Sequence, residues 1–229
     1  MLHPRPMRPW RIAAYLLAAV LSSALLLFVP AGTLAWWKGW QFLLIFFVGM
    51  TVAALWLWRV NPEIYAARRR VHPGTKRWDI ILLCLLLPAV VAILPVAALD
   101  ARFRWHPLPV WASVLGDALL LAGIGITAWA QAVNRFFEPG VRIQTDRGHR
   151  VVDTGPYAVV RHPGYVGACL LCAGAALSLG SLWALVPAGL CASLLVFRTR
   201  WEDQTLQAEL AGYRDYARRV RFRLIPGLW

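Results

Sequence analysis

The chain has 229 residues, of which 59% are hydrophobic and only 15% are charged. A soluble domain usually carries about 25% charged residues, so this composition argues against an ordinary soluble protein and predicts a membrane protein. A formal net charge of +13 also occurs in nucleic-acid-binding proteins. Here the basic residues lie between long apolar runs and mostly on one side of the predicted membrane, so we expect no nucleic-acid partner.

Four apolar runs approach or exceed the roughly 20 residues that a helix needs to cross about 30 Å of hydrocarbon. They are Ile12–Val29, Trp40–Trp58, Ile80–Leu99 and Val110–Val133. A fifth run, Val166–Phe197, is too long for one helix and contains Leu-Gly-Ser-Leu at Leu179–Leu182, which is typical of a turn. We therefore predict an all-α integral membrane protein with about six transmembrane helices, the last two forming a helical hairpin.

The basic residues are distributed unevenly between the connections. With six spans, one side of the membrane receives only three of the 24 Lys and Arg residues, namely Lys38, Arg102 and Arg104. The other side receives all the rest, among them Arg5, Arg8, Arg11 and the Arg68–Arg70 triplet. The positive-inside rule then predicts a multi-pass protein with both termini and the long polar loops in the cytoplasm. Contact with lipid phosphates is an alternative role for the triplet.

The first run follows basic residues, as a signal peptide does, but its 18-residue length and the later spans favour an uncleaved helix. The four cysteines all lie within predicted helices. Cys169 and Cys172 form a Cys-x-x-Cys without a second pair, so we expect neither a redox centre nor a metal site.

The chain divides by chemistry into residues 1–133, four plain spans, and residues 134–229, which hold a polar loop, the hairpin and a C-terminal helix. That helix is predicted from Arg198 to about Val220. Its apolar positions recur every three to five residues and are Trp201, Leu206, Leu210, Tyr213 and Tyr216. The nearby arginines predict an amphipathic helix lying against an anionic cytoplasmic leaflet.

Three polar segments are predicted to meet at the cytoplasmic membrane boundary. They are the loop with Gln144, Arg147, His149 and Arg150; the turn with Tyr157, Arg161, His162 and Tyr165; and the group Arg198, Glu202 and Asp203. A tight hairpin returns the chain to the side it left, so Arg198 lies near the depth of His162. Charges at the edge of hydrocarbon are unfavourable unless they are paired or functional, so we predict a site there.

The dipeptide His162-Pro163 is expected to begin the first helix of the hairpin. Proline is tolerated in the first helical turn and holds the preceding residue extended, so His162 is presented at the mouth of the helix. Free N–H groups at such a mouth favour an anion, and Gly164 and Gly167 allow close approach to the backbone. The alternative is that Arg161 marks topology and His162 caps the helix.

Three stretches carry a resemblance to a known family: GPYAVVRHPGYVG (155–167), FRTRWED (197–203) and GYRDYARRVRFRLIPGLW (212–229). The sequence resembles the integral-membrane isoprenylcysteine carboxyl methyltransferases and phospholipid methyltransferases, over roughly residues 134–229. This resemblance implies S-adenosylmethionine as the cofactor and a lipophilic or lipidated acceptor at the lipid bilayer.

The resemblance also assigns roles to individual residues. It implies cofactor binding by Gln144, His149, Arg150, Val151, Val152, Tyr157, His162, Pro163, Gly164, Tyr165 and Glu202. It implies catalytic roles for Glu202 and for Arg198, the arginine near the methyl acceptor. The chain departs from the family in having Asp203 as its second carboxylate and a shorter loop between Gln144 and His149 than the eukaryotic prenylcysteine enzymes.

Methyl transfer requires mainly that donor and acceptor be aligned, so we expect no metal. An acceptor carboxylate fits a bidentate clamp by Arg198, whereas an amine or a thiol needs a base, for which Glu202, Asp203 and His162 are candidates. Phospholipid N-methylation and thiol S-methylation remain open. An NADPH-dependent enzyme of the sterol-reductase type and a non-catalytic membrane scaffold are the alternatives outside methyl transfer.

Overall fold

The computed structural model describes residues 9–106 and 108–229, with side chains from residue 14 onward. Arg5 and Arg8 lie outside the described residues, as does the side chain of Arg11. Within the described ranges the regular elements are eight α-helices and two short 3-10 turns, at Thr145–Arg147 and Gly155–Ala158. The helices are α1 (Pro9–Ala31), α2 (Trp37–Val60), α3 (Glu63–Ala67), α4 (Arg77–Phe103), α5 (Val110–Val133), α6 (Pro163–Ser178), α7 (Leu185–Glu209) and α8 (Tyr213–Arg219).

Four of these helices are long and apolar enough to cross a membrane: α1, α2, α4 and α5. They confirm the first four predicted spans. Helix α6 has 16 residues, and α7 ends in a charged segment, so neither meets the same criterion. A membrane-crossing hairpin of α6 and α7, and with it the count of six spans, stays a prediction.

The connections alternate between two ends of the bundle, and α4 links both. At one end its Asp100 accepts a hydrogen bond from Ser181, in the turn between α6 and α7, at 2.6 Å. At the other end its Asp79 pairs with Arg198 of α7. Helices α4 and α7 therefore run antiparallel to each other. The second end collects the loops between α2 and α4 and between α5 and α6, together with the C-terminal segment.

Helices α5 and α6 pack closely because small residues face each other. Adding a Cβ at Gly123 of α5 would place it 2.6 Å from the backbone oxygen of Gly167 in α6. Gly174 of α6 and Gly116 of α5 are blocked in the same way by the opposite backbone. Interfaces of small residues are typical of membrane helices, because close backbone contact replaces the hydrophobic driving force. The close approach expected at Gly167 is therefore to a neighbouring helix.

The prediction of one continuous helix from Arg198 to about Val220 is wrong. Helix α7 ends at Glu209, and Gly212 adopts φ +79, a left-handed conformation that suits glycine and redirects the chain into α8. Three of the five apolar positions predicted to face the leaflet pack inside the protein, whereas Trp201 is 39% exposed. Leu210, Tyr213 and Tyr216 are buried against Val151 and its neighbours in the α5–α6 loop.

Candidate active site

A pocket of about 350 Å³ lies where the polar loop, the start of α6 and the end of α7 meet. Its volume is within the roughly 300–1,000 Å³ of small-molecule sites. The predicted site residues that line it are Gln144, His149, Arg150, Val151, Val152, Tyr157, His162, Gly164, Tyr165, Arg198 and Glu202. Pro163 is the exception, since it is buried in the first turn of α6 and does not reach the pocket. The predicted convergence of three segments is thus observed.

The loop between α5 and α6 is held by its own polar groups. The side-chain amide of Gln144 donates to the Phe136 carbonyl at 2.7 Å, and its oxygen accepts from Arg147 at 2.8 Å. Glu138, whose side chain is 2% exposed, pairs with Arg142 at 2.7 Å. Both polar ends of Gln144 are therefore engaged within the loop, so this residue shapes the pocket wall.

His149 forms part of this wall as a neutral ring. It lies on Phe136, with ring centroids 4.7 Å apart, and its Nδ1 accepts the backbone N–H of Gln144 at 3.3 Å. Burial lowers the pKa of His149 to about 4, against the opposing charge of Glu138. A neutral imidazole held against Phe136, with the two rings inclined at 40°, offers a flat surface to a ring-bearing ligand.

The mouth of α6 differs from the predicted anion site. The N–H of Arg161 donates to Phe222 and that of His162 to Arg223, each at 3.0 Å. The N–H groups of Tyr165 and Val166 both donate to the His162 carbonyl. The C-terminal segment therefore fills most of the mouth, and His162 makes no side-chain capping bond. The space beside Gly164 is taken by the Phe137 ring, 2.5 Å from where a Cβ would stand.

Arg161 and Asp203 form a buried ion pair that ties α6 to the C-terminal segment. Arg161 donates to both carboxylate oxygens, at 2.8 and 2.9 Å, and to the Val220 carbonyl at 2.7 Å. Asp203 is fully buried and also accepts from Tyr213 at 3.0 Å and from Arg223 at 3.0 Å. Arg161 is therefore a structural residue rather than a topology signal, and Asp203 is no longer a candidate base.

Glu202, Tyr165 and His162 make the polar centre of the pocket. The Tyr165 hydroxyl donates to Glu202 Oε2, and the rings of Tyr165 and His162 are parallel at 5.7 Å. Among the described residues Glu202 Oε1 accepts no hydrogen bond, and the Glu202 side chain is 21% exposed. The buried Nε2 of His162 lies 3.5 Å from Asp203 Oδ1. Glu202 Oε1 is therefore the atom of this group that remains available to a ligand.

The two parallel hydrogen bonds predicted from Arg198 to an acceptor carboxylate are instead made to a carboxylate of the protein. The Nε and one terminal nitrogen of Arg198 donate to Asp79 at 2.7 and 3.0 Å, and the same terminal nitrogen contacts the Pro139 carbonyl at 2.5 Å. This fork therefore cannot also hold an acceptor carboxylate. Arg198 still lines the pocket, with its guanidinium carbon 5.3 Å from the centre of the Tyr165 ring.

Residues 111–211 match the family model for phospholipid methyltransferases. This region belongs to that family of membrane methyltransferases. The match runs from α5 to the end of α7 and thus contains the loop, the Arg161–Tyr165 turn and Glu202. It covers the stretches 155–167 and 197–203 and confirms the resemblance found there; the stretch 212–229 lies outside it. No curated protein matches the chain significantly.

The pocket continues beyond the matched region. Leu83 and Leu86 of α4, Ala168 of α6 and Leu195 of α7 are among its apolar lining residues, and Arg68, in the connection between α2 and α4, also lines it. The site therefore combines polar residues of the α5–α6 loop with apolar residues that include two from the membrane-span candidate α4.

Several residues that build this site were not predicted from the sequence. Asp79 is the partner of Arg198, Glu138 organises the loop, and Asn134 donates to the Tyr157 hydroxyl at 3.0 Å. One signal pointed to Asp79, which is the sole acidic residue between Glu63 and Asp100 and begins an apolar span. A lone charge at such a place needs a partner, and the sequence had suggested no acidic partner for Arg198 at the same membrane boundary either.

Proposed function

We propose that the protein is an S-adenosylmethionine-dependent membrane methyltransferase acting on a lipophilic or membrane-associated acceptor. One observation carries this proposal: every predicted site residue except Pro163 lines a single pocket of about 350 Å³. Membership of the phospholipid methyltransferase family over residues 111–211 supports methyl transfer as the reaction.

The residues present fit the groups of this cofactor. The neutral ring of His149 and the buried ring of Tyr157 suit an adenine. The free Oε1 of Glu202 suits the ammonium or the sugar hydroxyls. Arg150, which lines the pocket, suits the carboxylate, a role that the filled mouth of α6 no longer serves.

When bound, S-adenosylmethionine would supply an activated methyl group for the acceptor's nucleophilic atom, with S-adenosylhomocysteine as the leaving product. The task of the protein is alignment and exclusion of water. Tyr165 fixes the Glu202 carboxylate, and Asp79 fixes Arg198, so the polar centre is organised before a ligand binds. If the acceptor is an amine or a thiol, Glu202 and His162 are the groups that hold its proton.

The acceptor we favour is a prenylcysteine-type carboxylate, because a carboxylate is nucleophilic without a base. A phospholipid amine and a small thiol are the alternatives within methyl transfer. An NADPH-dependent reductase of the sterol-reductase type is the alternative outside it.

Isothermal titration of the purified protein in detergent with S-adenosylhomocysteine tests the cofactor. We expect saturable binding, and we expect Glu202→Gln to weaken it about tenfold, as loss of a charge-assisted contact does. Glu209→Gln is the matched control, since Glu209 lies on the same helix but pairs with Lys76 outside the pocket. Absence of binding at high micromolar concentration, or binding of NADPH instead, rejects the proposal.

We propose further that α6 and α7 cross the membrane as a hairpin, giving six spans, and that both termini and the pocket face the cytoplasm. The support is the charge bias, because only Lys38, Arg102 and Arg104 lie at the opposite end. A reporter fused after Trp229 and another inserted at His106 check the orientation. A cytoplasmic signal at His106 contradicts it.

The acceptor itself is identified by mass spectrometry of cell extract incubated with the protein and S-adenosylmethionine carrying a deuterated methyl group. Labelled esters, amines and thioethers differ in their fragments. The Glu202→Gln variant provides the background of unspecific labelling.

A further inference from the structure

Arg68 is a cation that reaches the pocket from outside the family-matched region. It follows the short helix α3, where its backbone N–H donates to the Ile64 carbonyl at 3.0 Å. Its guanidinium carbon lies 5.0 Å from the centre of the Phe137 ring, and the residue forms part of the pocket wall. Stacking on an aromatic ring holds the guanidinium in place while leaving its N–H groups to point elsewhere.

Arg68 has no acidic partner among the residues that the structure describes. It shares this with Arg150 of the loop, which also lines the pocket and is proposed to bind the cofactor carboxylate. The other arginines of the lining are paired: Arg142 with Glu138, Arg161 with Asp203, and Arg198 with Asp79. The residue Arg68 is exposed, but desolvation by the surrounding protein lowers its pKa, and the neighbouring charge of Arg198 adds to this effect. A guanidinium held near another cation, without a counter-ion, is favourable for an incoming anion.

The other residues of the pocket lining indicate what kind of molecule bears this anionic group. The pocket lining that includes Arg68 also includes Leu83 and Leu86 of the membrane-span candidate α4, and Leu195 of α7. A ligand that satisfies both features has an apolar chain against these leucines and an anionic group at its end. The carboxylate of Glu202 accepts a hydrogen bond from the Tyr165 hydroxyl and is the group at which the cofactor is proposed to bind.

We propose that Arg68 is the specificity-determining residue of the acceptor site and binds the anionic group, a carboxylate or a phosphate, of an amphiphilic acceptor. This inference rests on the proposed function for the presence of a methyl acceptor. It replaces the role first expected of Arg198, whose fork is held by Asp79. It also gives one member of the Arg68–Arg70 triplet a task beyond marking the cytoplasmic side.

The triplet supplies matched controls for the test. Arg68, Arg69 and Arg70 are all exposed, but of the three only Arg68 lines the pocket. Arg69→Ala and Arg70→Ala therefore change the net charge by the same amount as Arg68→Ala without altering the pocket wall. The probes are N-acetyl-S-farnesylcysteine, its uncharged amide and dodecyl phosphate. Each is titrated into full-length protein in detergent, with and without S-adenosylhomocysteine, and Arg68→Gln serves as a variant of similar size.

We expect Arg68→Ala and Arg68→Gln to weaken binding of the carboxylate or the phosphate probe about tenfold or more. The Arg69 and Arg70 variants stay within about twofold, and binding of the amide is unchanged by any of them. Whichever anionic probe loses affinity identifies the headgroup chemistry.

Three results overturn the inference: wild-type protein that binds neither anionic probe, equal weakening by the Arg69 or Arg70 variant, and equal weakening of the amide. If Arg68→Ala instead weakens S-adenosylhomocysteine alone, Arg68 serves the cofactor and the inference also fails. Wild-type protein that does not bind S-adenosylhomocysteine rejects the proposed function instead, while titrations without it still report on Arg68.

Discussion

Arg198 and Asp79, separated by 119 positions in the sequence, form a buried bidentate ion pair with distances of 2.7 and 3.0 Å. Asp79 is fully buried and Arg198 is 7% exposed. The pair joins the start of α4, outside the family-matched region, to the pocket wall formed by α7. The ion pair therefore connects the N-terminal helices to the site and holds the Arg198 side chain in its place at the pocket wall.

Removing one partner of this pair leaves an uncompensated buried charge. We expect Asp79→Ala to lower the free energy of unfolding by about 3–5 kcal/mol, measured by denaturation in detergent. The double variant Asp79→Leu/Arg198→Met replaces the pair by apolar groups and is expected to recover most of this loss. A double variant that is less stable than Asp79→Ala contradicts the interpretation.

Asp203 is expected to be a structural carboxylate. Asp203→Asn removes the charge that balances Arg161 and Arg223, so the free energy of unfolding falls by about 3–5 kcal/mol. Asp215→Asn is the control, since Asp215 is exposed in α8 and meets only Arg218 at 3.5 Å; its change stays within about 0.5 kcal/mol. Equal stability of the two variants shows that the Asp203 network contributes little.

Substitution of a glycine in α5 by alanine is expected to change the stability according to what the new methyl group contacts. Gly123→Ala places a methyl group 2.6 Å from the Gly167 carbonyl oxygen, and such overpacking destabilises by about 1–3 kcal/mol. Gly125→Ala, two residues along the same helix, meets no atom within 4 Å and gains roughly up to 1 kcal/mol from better helix propensity. Thermal unfolding of both variants in one detergent gives the comparison. Opposite signs are the expected outcome.

His149 makes the stability of the protein depend on pH below neutrality. Its pKa is about 4 when folded and about 6.5 when unfolded, so between these values the unfolded state binds more protons. Stability therefore falls as the pH decreases through this window, and above about pH 6.5 His149 has no effect.

The variant His149→Phe keeps a ring against Phe136 and removes this titration. We expect its unfolding midpoint to fall less between about pH 7 and about pH 5 than that of the wild type. An identical fall in both proteins means that His149 is not held neutral by the fold.

The sequence predicts the membrane-span candidates more completely than it predicts the contacts within the site. Trp37–Val60 and Val110–Val133 follow the apolar runs closely because membrane helices satisfy their own backbone and need only length and hydrophobicity. The break at Gly212 was missed, since a helical pattern on both sides concealed a left-handed glycine. The residues of the pocket were found through motifs, but their partners were not.

The sequence by itself determined that this is an all-α membrane protein with polar chemistry collected around residues 144–165 and 198–203, because hydropathy and local turn signals act over short stretches of chain. The tertiary structure alone decided which charges are paired. Asp79 pairs with Arg198, Asp203 pairs with Arg161, and Arg68 lines the pocket without an acidic partner among the described residues. Ion pairing depends on distances of a few ångströms between segments up to 133 residues apart, and only packing of the helices sets those distances.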